Sequence, residues 1–93
     1  MKYAELTNYI GGVNKPSAGS RKLDVFSPLD GSMLTRVPLS TQADLDAAVS
    51  AARTAANSWA ALTVKERVQV FFRYRNLLEK YSDELTYLVH EEN

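Results

Sequence analysis

The glycines and prolines of this chain are confined to its first 40 residues. All four glycines and all three prolines lie there, and neither residue type occurs between Ser40 and Asn93. Glycine and proline form turns and interrupt helices, so this partition predicts short strands and turns over residues 1–40 and helices over residues 41–93. The expected fold class is α+β, and 93 residues suffice for one small or incomplete domain at most.

The second half of the strand region has the pattern of a β-hairpin. Residues 23–27 have strand composition, and Pro28-Leu29-Asp30-Gly31 is a strong turn sequence. Met33 to Leu39 then returns with alternating polarity as a second strand, in which Pro38 ends the pairing or marks an edge. Together these features predict a hairpin at about 22–38.

A shorter extended segment precedes this hairpin. Asn8-Tyr9-Ile10 is followed by Gly11-Gly12, and residues 13–20 carry the Asn, Pro, Ser and Gly residues typical of a loop. Paired glycines also occur in phosphate-binding loops, but this pair is too short and too early in the chain for that role. We interpret it as a plain turn.

Three helices are expected in the second part, at about 42–60, 64–81 and 83–93. Capping boxes start the first two, at Thr41-Gln42-Ala43-Asp44 and Thr63-Val64-Lys65-Glu66. Ser82 is predicted to cap the third helix. Several carboxylates lie in first turns, where the helix dipole explains them without catalysis. They are Asp44, Asp46, Asp83 and Glu84.

The second helix has an apolar arc wider than a surface helix needs. At about 100° per residue, its apolar side chains cover roughly half of the circumference. The arc comprises Val64, Val68, Val70, Phe71, Tyr74, Leu77, Leu78 and Tyr81, with Phe72 at its margin. One neighbouring element cannot cover so wide an arc. The helix is therefore expected to need partners on two sides, and the chain is expected to be able to self-associate through residues 64–81.

Arg67 and Arg75 fall inside this apolar arc. Because a buried unpaired guanidinium is costly, each is expected to pair with a carboxylate, and Asp46 and Glu84 are the candidates. A phosphate site is the functional alternative. The aromatic side chains could stack on single-stranded nucleic acid, but aromatics at helical spacing are more typical of a core. They are Trp59, Phe71, Phe72, Tyr74 and Tyr81.

Catalytic and metal-binding patterns are sparse. The common nucleotide and hydrolase motifs are missing, and there is no cysteine. His90 stands beside Glu91 and Glu92, but consecutive helical residues point about 100° apart and do not converge on one ion. We interpret His90 as a surface or interface histidine. The sequence thus predicts no catalytic, cofactor-binding or metal-binding residue.

The charge balance also excludes classes of partner. Lys plus Arg and Asp plus Glu number 11 each, so the formal net charge is zero. Binding to nucleic acid or to an anionic membrane usually requires a basic excess, and no apolar run approaches the ~20 residues of a membrane span. The absence of cysteine is compatible with a reducing compartment. We expect a cytoplasmic protein without nucleic-acid or membrane partners.

An ordered set of short segments covers nearly the whole chain. They are Asn8 to Gly12, Asp24 to Gly31, Arg36 to Leu39, Asp44 to Ala52, Trp59, Glu66-Arg67, Asp83 to Leu85 and Glu91 to Asn93. In this order they resemble the start of the NAD(P)-dependent aldehyde dehydrogenases. No single motif is decisive, but the set is specific. Ser27 and Leu29-Asp30 depart from the Asn and Ala-Thr that are usual in the family.

This resemblance implies a part of the α/β cofactor-binding domain of a longer oxidoreductase. Such enzymes form a thiohemiacetal on a cysteine, pass hydride to NAD or NADP, and assemble as homodimers or tetramers. Their catalytic cysteine, glutamate base and cofactor-binding strands lie later in the chain, so these 93 residues are expected to be a non-catalytic N-terminal fragment that itself binds no cofactor. Among subfamilies the sequence looks most like methylmalonate-semialdehyde dehydrogenases, which transfer the acyl group to coenzyme A.

Two further expectations follow. Some family members bind a monovalent cation between the backbone near the Pro28–Gly31 turn and an acid near the end of the third helix. Glu92 is the nearest match to that acid, and the family's Asp is absent, so no cation is expected here. The alternative to a dehydrogenase fragment is a stand-alone helical module for interaction or oligomerisation.

Overall fold

The computed structural model describes all 93 residues and contains four strands and three helices. The strands are β1 (Asn8–Ile10), β2 (Val13–Lys15), β3 (Lys22–Phe26) and β4 (Met33–Pro38). The helices are α1 (Gln42–Ala61), α2 (Val64–Lys80) and α3 (Ser82–Glu92). All strands precede all helices, which confirms the α+β arrangement predicted from the distribution of glycine and proline.

The strands form two separate antiparallel hairpins. In the larger one β3 pairs with β4, with an irregularity in register between Val25 and Phe26. The connecting turn is closed by a hydrogen bond of 2.9 Å from the Gly31 amide to the Ser27 carbonyl oxygen. Gly31 has a φ of 75°, which residues with a side chain rarely adopt. The predicted turn sequence therefore forms the predicted hairpin.

The smaller hairpin joins β1 to β2 through Gly11-Gly12. These glycines have φ values of 62° and 82°, the two positive values of a type I′ turn, whose twist matches that of paired strands. The glycine pair is thus a turn, as predicted. The prediction of a loop over residues 13–20 is wrong for Val13–Lys15, because the tight turn returns the chain at once as a second strand.

Residues 2–6, which we call the N-terminal strap, run along the edge of β4 that β3 leaves free. Amides of the strap donate to β4 carbonyl oxygens at 2.8 to 3.2 Å, in the pairs Lys2 to Met33, Tyr3 to Leu34 and Leu6 to Arg36. The hydroxyl of Thr35 also donates to the Ala4 carbonyl oxygen at 2.8 Å. Sequence reasoning missed the strap, because its residues show no strand periodicity.

The first two helices begin at the predicted capping boxes. Thr41 and Asp44 exchange hydrogen bonds at the start of α1, and Thr63 and Glu66 do so at the start of α2. Each box satisfies amide groups that have no partner within the helix. No helix combines the length and apolarity that crossing a membrane requires.

The third helix starts differently from the prediction. Its N-cap is Tyr81, which makes no side-chain capping bond, and Ser82 is already helical. The amide of Tyr81 donates to the carbonyl oxygens of Leu77 and Glu79 at the end of α2. A single residue therefore separates the two helices, and the prediction of Ser82 as a capping residue is wrong.

The chain forms a thin slab rather than a sphere. Its dimensions are 48 × 35 × 16 Å and its radius of gyration is 17.0 Å, whereas a compact domain of this length has about 12 Å. It exposes 7472 Å², about 2,000 Å² more than a monomeric protein of its mass. The helices do not pack along one another, and the closest helix-to-strand packing is that of α1 on β1.

Very few side chains are buried in this slab. Leu34 in β4 is the only buried hydrophobic residue, and α2 contributes none. The aromatic side chains predicted to form a core are all exposed, by 39% for Trp59 and by 62% for Phe71. That prediction is wrong for this chain, because no element lies over the aromatic side of α2.

The capping box of α2 yields a test of local stability. Thr63→Ala removes the side-chain oxygen that accepts from the Glu66 amide, and it should lower the free energy of unfolding by about 1 kcal/mol. Thr54→Ala is the matched control, because Thr54 lies inside α1 and bonds only to the Ser50 carbonyl oxygen. Urea titrations followed by circular dichroism compare the two. Equal effects would show that the cap contributes nothing of its own.

Candidate functional site

Asp44 ties the loop before β3 to the start of α1. Its carboxylate accepts hydrogen bonds from the Ser17 hydroxyl at 2.5 Å, the Thr41 amide at 2.8 Å and the Ala18 amide at 2.9 Å. The residue is only 8% exposed. The bond from Ser17, followed by those from the Thr41 and Ala18 amides, lowers the pKa of Asp44 to about 2. We call this group the Asp44 tie.

The Asp44 tie requires a close approach of two backbone segments. A Cβ atom at Gly19 would lie 2.7 Å from the Cγ2 atom of Thr41, so no larger residue fits there without displacement. The sequence predicted the capping role of Asp44, which is confirmed. It did not indicate Ser17 and Ala18 as partners, because they lie more than 20 positions away and form no motif with it.

The Asp44 tie should open only in strong acid. The pKa of Asp44 is lowered to about 2 in the folded chain, from an ordinary value of about 3.9. Its stabilising effect is therefore present above about pH 4 and is lost as the pH falls towards 2. In NMR spectra the Ala18 amide proton should titrate with a midpoint near pH 2, and Asp44→Asn should abolish that titration. A midpoint near pH 4 would contradict the tie.

Glu91 joins the end of α3 to the N-terminal strap. Its carboxylate forms an ion pair with Lys2 and accepts a hydrogen bond of 2.6 Å from the Tyr3 hydroxyl. The Lys2 ammonium donates to the Tyr87 hydroxyl at 3.0 Å and lies 5.5 and 5.3 Å from the ring centres of Tyr3 and Tyr87, where cation–π attraction adds to the ion pair. Glu91 is 6% exposed. We call this group the Glu91 cluster.

Charge and hydrogen bonding in the Glu91 cluster shift three pKa values. The hydrogen bond from Lys2, with that from Tyr3, lowers the pKa of Glu91. The bond to Glu91 raises the pKa of Lys2 and that of Tyr3. Each shift favours the protonation states that hold the cluster together at neutral pH.

The Glu91 cluster borders the turn of the larger hairpin. A recess of about 300 Å³ lies between them, and its lining includes Ser27, Asp30 and His90. Glu91 lines this recess, whereas Glu92 is exposed. His90 is exposed, as predicted. No three acidic or histidine side chains of the chain come close enough together to hold a metal ion.

Removing the charge of Glu91 should release the strap. Glu91→Gln loses the ion pair with Lys2, so we expect faster hydrogen exchange at the amides of Lys2, Tyr3 and Leu6. Glu92→Gln is the matched control, because it makes the same change on the exposed neighbouring residue. Exchange measured by NMR should separate the two variants. Unchanged exchange in Glu91→Gln would show that the strap is held by its backbone hydrogen bonds alone.

The apolar arc of α2 faces solvent. Within it, a row of side chains spaced alternately by three and four residues, which we call the α2 face, comprises Val64, Arg67, Phe71, Tyr74, Leu78 and Tyr81. Tyr74 is 58% exposed and Leu78 41%. Alternating spacings of three and four produce a continuous seam along one side of a helix. The chain thus presents a docking surface that none of its own elements covers.

The arginines of the arc do not pair as predicted. Arg75 donates to Glu79 at 3.2 Å, one helical turn away, and neither Asp46 nor Glu84 takes part in an ion pair. The prediction of those two partners is wrong. Arg75 stays in water, where a neighbouring carboxylate on the same helix is sufficient.

Comparison with known proteins places these features in a family. Residues 15–93 match the model of the aldehyde dehydrogenase family. The chain is 42% identical to malonate-semialdehyde dehydrogenase 1 of Geobacillus kaustophilus strain HTA426. This alignment of 88 residues covers 95% of the chain and 18% of the relative.

Two other relatives that the chain resembles are also malonate-semialdehyde dehydrogenases. The chain is 38% identical over 93 residues to malonate-semialdehyde dehydrogenase 1 of Shouchella clausii strain KSM-K16, covering 100% of this chain and 19% of the relative. It is 40% identical over 88 residues to malonate-semialdehyde dehydrogenase of Bacillus pumilus strain SAFR-032, and this alignment covers 95% of the chain and 18% of the relative. The chain thus spans less than a fifth of the length of these relatives. The family resemblance seen in the sequence is confirmed, and the chain belongs to the aldehyde dehydrogenase family.

Proposed function

We propose that these 93 residues are the N-terminal part of an NAD(P)-dependent dehydrogenase that oxidises malonate semialdehyde or a closely related semialdehyde. Family membership and the names of the relatives support the substrate class. In the whole protein, a cysteine outside these residues would attack the aldehyde, and NAD or NADP would accept the hydride.

Within that protein, the proposed role of these residues is structural. The observation that carries this proposal is the excess of exposed surface, about 2,000 Å² beyond that of a monomer of this mass, together with the uncovered α2 face. An area of this size is comparable with that buried in stable protein interfaces. We infer that the remainder of the dehydrogenase chain covers the α2 face.

The helix N-termini of this chain do not suit the phosphate groups of the cofactor. A phosphate group binds well at a helix N-terminus whose amides are free. Here the carboxylates of Asp44 and Glu66 already bond to the cap amides of α1 and α2, and Asp83 and Glu84 occupy the first turn of α3. Each carboxylate would repel a phosphate. We therefore assign no step of hydride transfer to these residues.

The proposal extends to the oligomeric state and the cellular compartment of the full-length protein. The full-length protein is proposed to form a homodimer or tetramer in the cytoplasm. The absence of cysteine and the zero net charge of this chain are compatible with that compartment. The competing function, a free-standing interaction module, would use the same α2 face to bind a second copy.

A chimeric enzyme tests the proposal. The matching 88-residue segment of the Geobacillus kaustophilus malonate-semialdehyde dehydrogenase 1 is replaced by that of this chain. We expect a soluble oligomer that forms NADH or NADPH from malonate semialdehyde, with kcat/KM within about tenfold of the parent, equivalent to about 1.4 kcal/mol. Assays with and without coenzyme A identify the acyl acceptor. The 93-residue chain alone should form neither NADH nor NADPH.

Two variants of the chimera localise the docking surface. Tyr74→Asp places a charge in the α2 face and should abolish assembly, because an unpaired charge is costly inside an apolar interface. Asn76→Asp makes a similar change on the other side of α2 and should leave assembly intact. This side, which we call the polar stripe, comprises Lys65, Glu66, Gln69, Arg73, Asn76 and Lys80. If the chimera is inactive while the isolated chain forms a stable oligomer through α2, the interaction module is the better description.

A further inference from the structure

Arg67 is the one charged residue of the α2 face, and it has no partner. Its guanidinium makes no hydrogen bond or ion pair with any residue of the chain. Residues three and four positions away on the helix are its only candidates for a local pair. They are Thr63, Val64, Val70 and Phe71, and none of them is charged.

The other two arginines of α2 have either a local carboxylate partner or a position that stays in water, whereas Arg67 has neither. Arg75 has Glu79 within reach on the same helix. Arg73 lies in the polar stripe and remains in water however the α2 face is covered. Arg67 is only partly exposed even in the uncovered slab, between the exposed apolar residues Val64 and Phe71. Covering the α2 face would therefore remove Arg67 from water.

A guanidinium keeps its positive charge when it is buried. Lysine and histidine can lose their proton when they are buried, but arginine stays charged at every accessible pH. It must therefore be supplied with acceptors by the surface that covers it. A carboxylate matches the planar fork of the guanidinium with two parallel hydrogen bonds, which a single carbonyl oxygen cannot do.

We propose that the surface of the dehydrogenase chain that covers α2 presents a carboxylate to Arg67. The two groups form a charge-assisted pair within an otherwise apolar interface. This inference rests on the proposed function and adds the chemistry of the docking partner. The pair fixes the position of the apolar row, because an apolar seam alone tolerates a shift by one helical turn whereas a bidentate pair does not.

A second copy of α2 does not supply this carboxylate. The helix contains two acidic residues, Glu66 and Glu79. Glu66 is bonded to Thr63 in the capping box and Glu79 is paired with Arg75, and both lie outside the α2 face. Self-association through α2 would therefore bury Arg67 without an acceptor, which favours the rest of the dehydrogenase as the occupant.

Arginine variants of the chimeric enzyme test the pair. Arg67→Met keeps the length and apolar stem of the side chain but leaves the opposing carboxylate unpaired. At about pH 8 it should lower the apparent Tm, at a fixed scan rate, by about 5 °C. Arg67→Lys keeps the charge and should restore part of this loss. Arg73→Met, which removes a charge from the polar stripe of the same helix, should change the Tm by less than about 1 °C.

The pH dependence distinguishes a carboxylate from backbone acceptors. A buried carboxylate without its arginine has a raised pKa and takes up a proton on acidification, which relieves its burial. In the intact pair the carboxylate has a lowered pKa and remains charged. The Tm difference between the parent chimera and Arg67→Met should therefore shrink by about half or more between about pH 8 and pH 5.5.

The outcomes separate this proposal from the one on which it rests. If the parent chimera is active and Arg67→Met matches Arg73→Met, or if its loss in Tm is the same at both pH values, the pair is refuted and the dehydrogenase assignment stands. If Arg67→Met does not fold, Arg67→Gln, which also leaves the carboxylate without a cationic partner, takes its place: a Tm difference that shrinks on acidification supports the pair, and one that is constant refutes it. A parent chimera that neither assembles nor turns over removes both proposals.

Discussion

The shortage of buried apolar surface determines how every element of this chain is stabilised. Five of 93 residues are withdrawn from solvent, and four of these five are polar or charged. Burial normally supplies the main favourable term in folding, so the helices and hairpins here depend on contacts between near neighbours in sequence. Capping boxes define the starts of α1 and α2, and positive-φ glycines close both hairpin turns. Each of these contacts stabilises its own helix or hairpin, but none of them packs the elements around a common hydrophobic core.

Two polar groups supply much of the longer-range organisation. The Asp44 tie fixes the loop before β3 against α1, and the Glu91 cluster fixes the strap against α3. In both groups a nearly buried carboxylate is surrounded by donors, an arrangement that keeps it ionised. Such groups prescribe geometry more than they add stability, because a charge withdrawn from water must first be compensated. They position the ends of the helical region while leaving the α2 face uncovered for docking.

The sequence predicted the local structure well and the long-range contacts poorly. Helix starts at Thr41 and Thr63 and the turn at Gly31 follow from preferences of a few adjacent residues, so a single sequence reveals them. The strap, the Ser17 contact of Asp44 and the Lys2 contact of Glu91 join distant residues, and no short pattern records them. The period of α2 identifies its apolar arc, but the prediction that the aromatic residues form a core is wrong. Periodicity shows that a face is apolar without showing whether its partner belongs to the same chain.

The Asp44 tie also implies an order of folding events. Ser17 and Asp44 bracket the whole β3–β4 hairpin, so joining them in an unfolded chain would close a long loop at a high entropic penalty. Once the hairpin has formed, Arg21 and Leu39 are hydrogen-bonded, and only a few residues on either side remain to be ordered. Hairpin formation should therefore precede the tie. Because Asp44 also caps α1, the first helical turn is completed by a contact that becomes accessible only when the strands before it are in register.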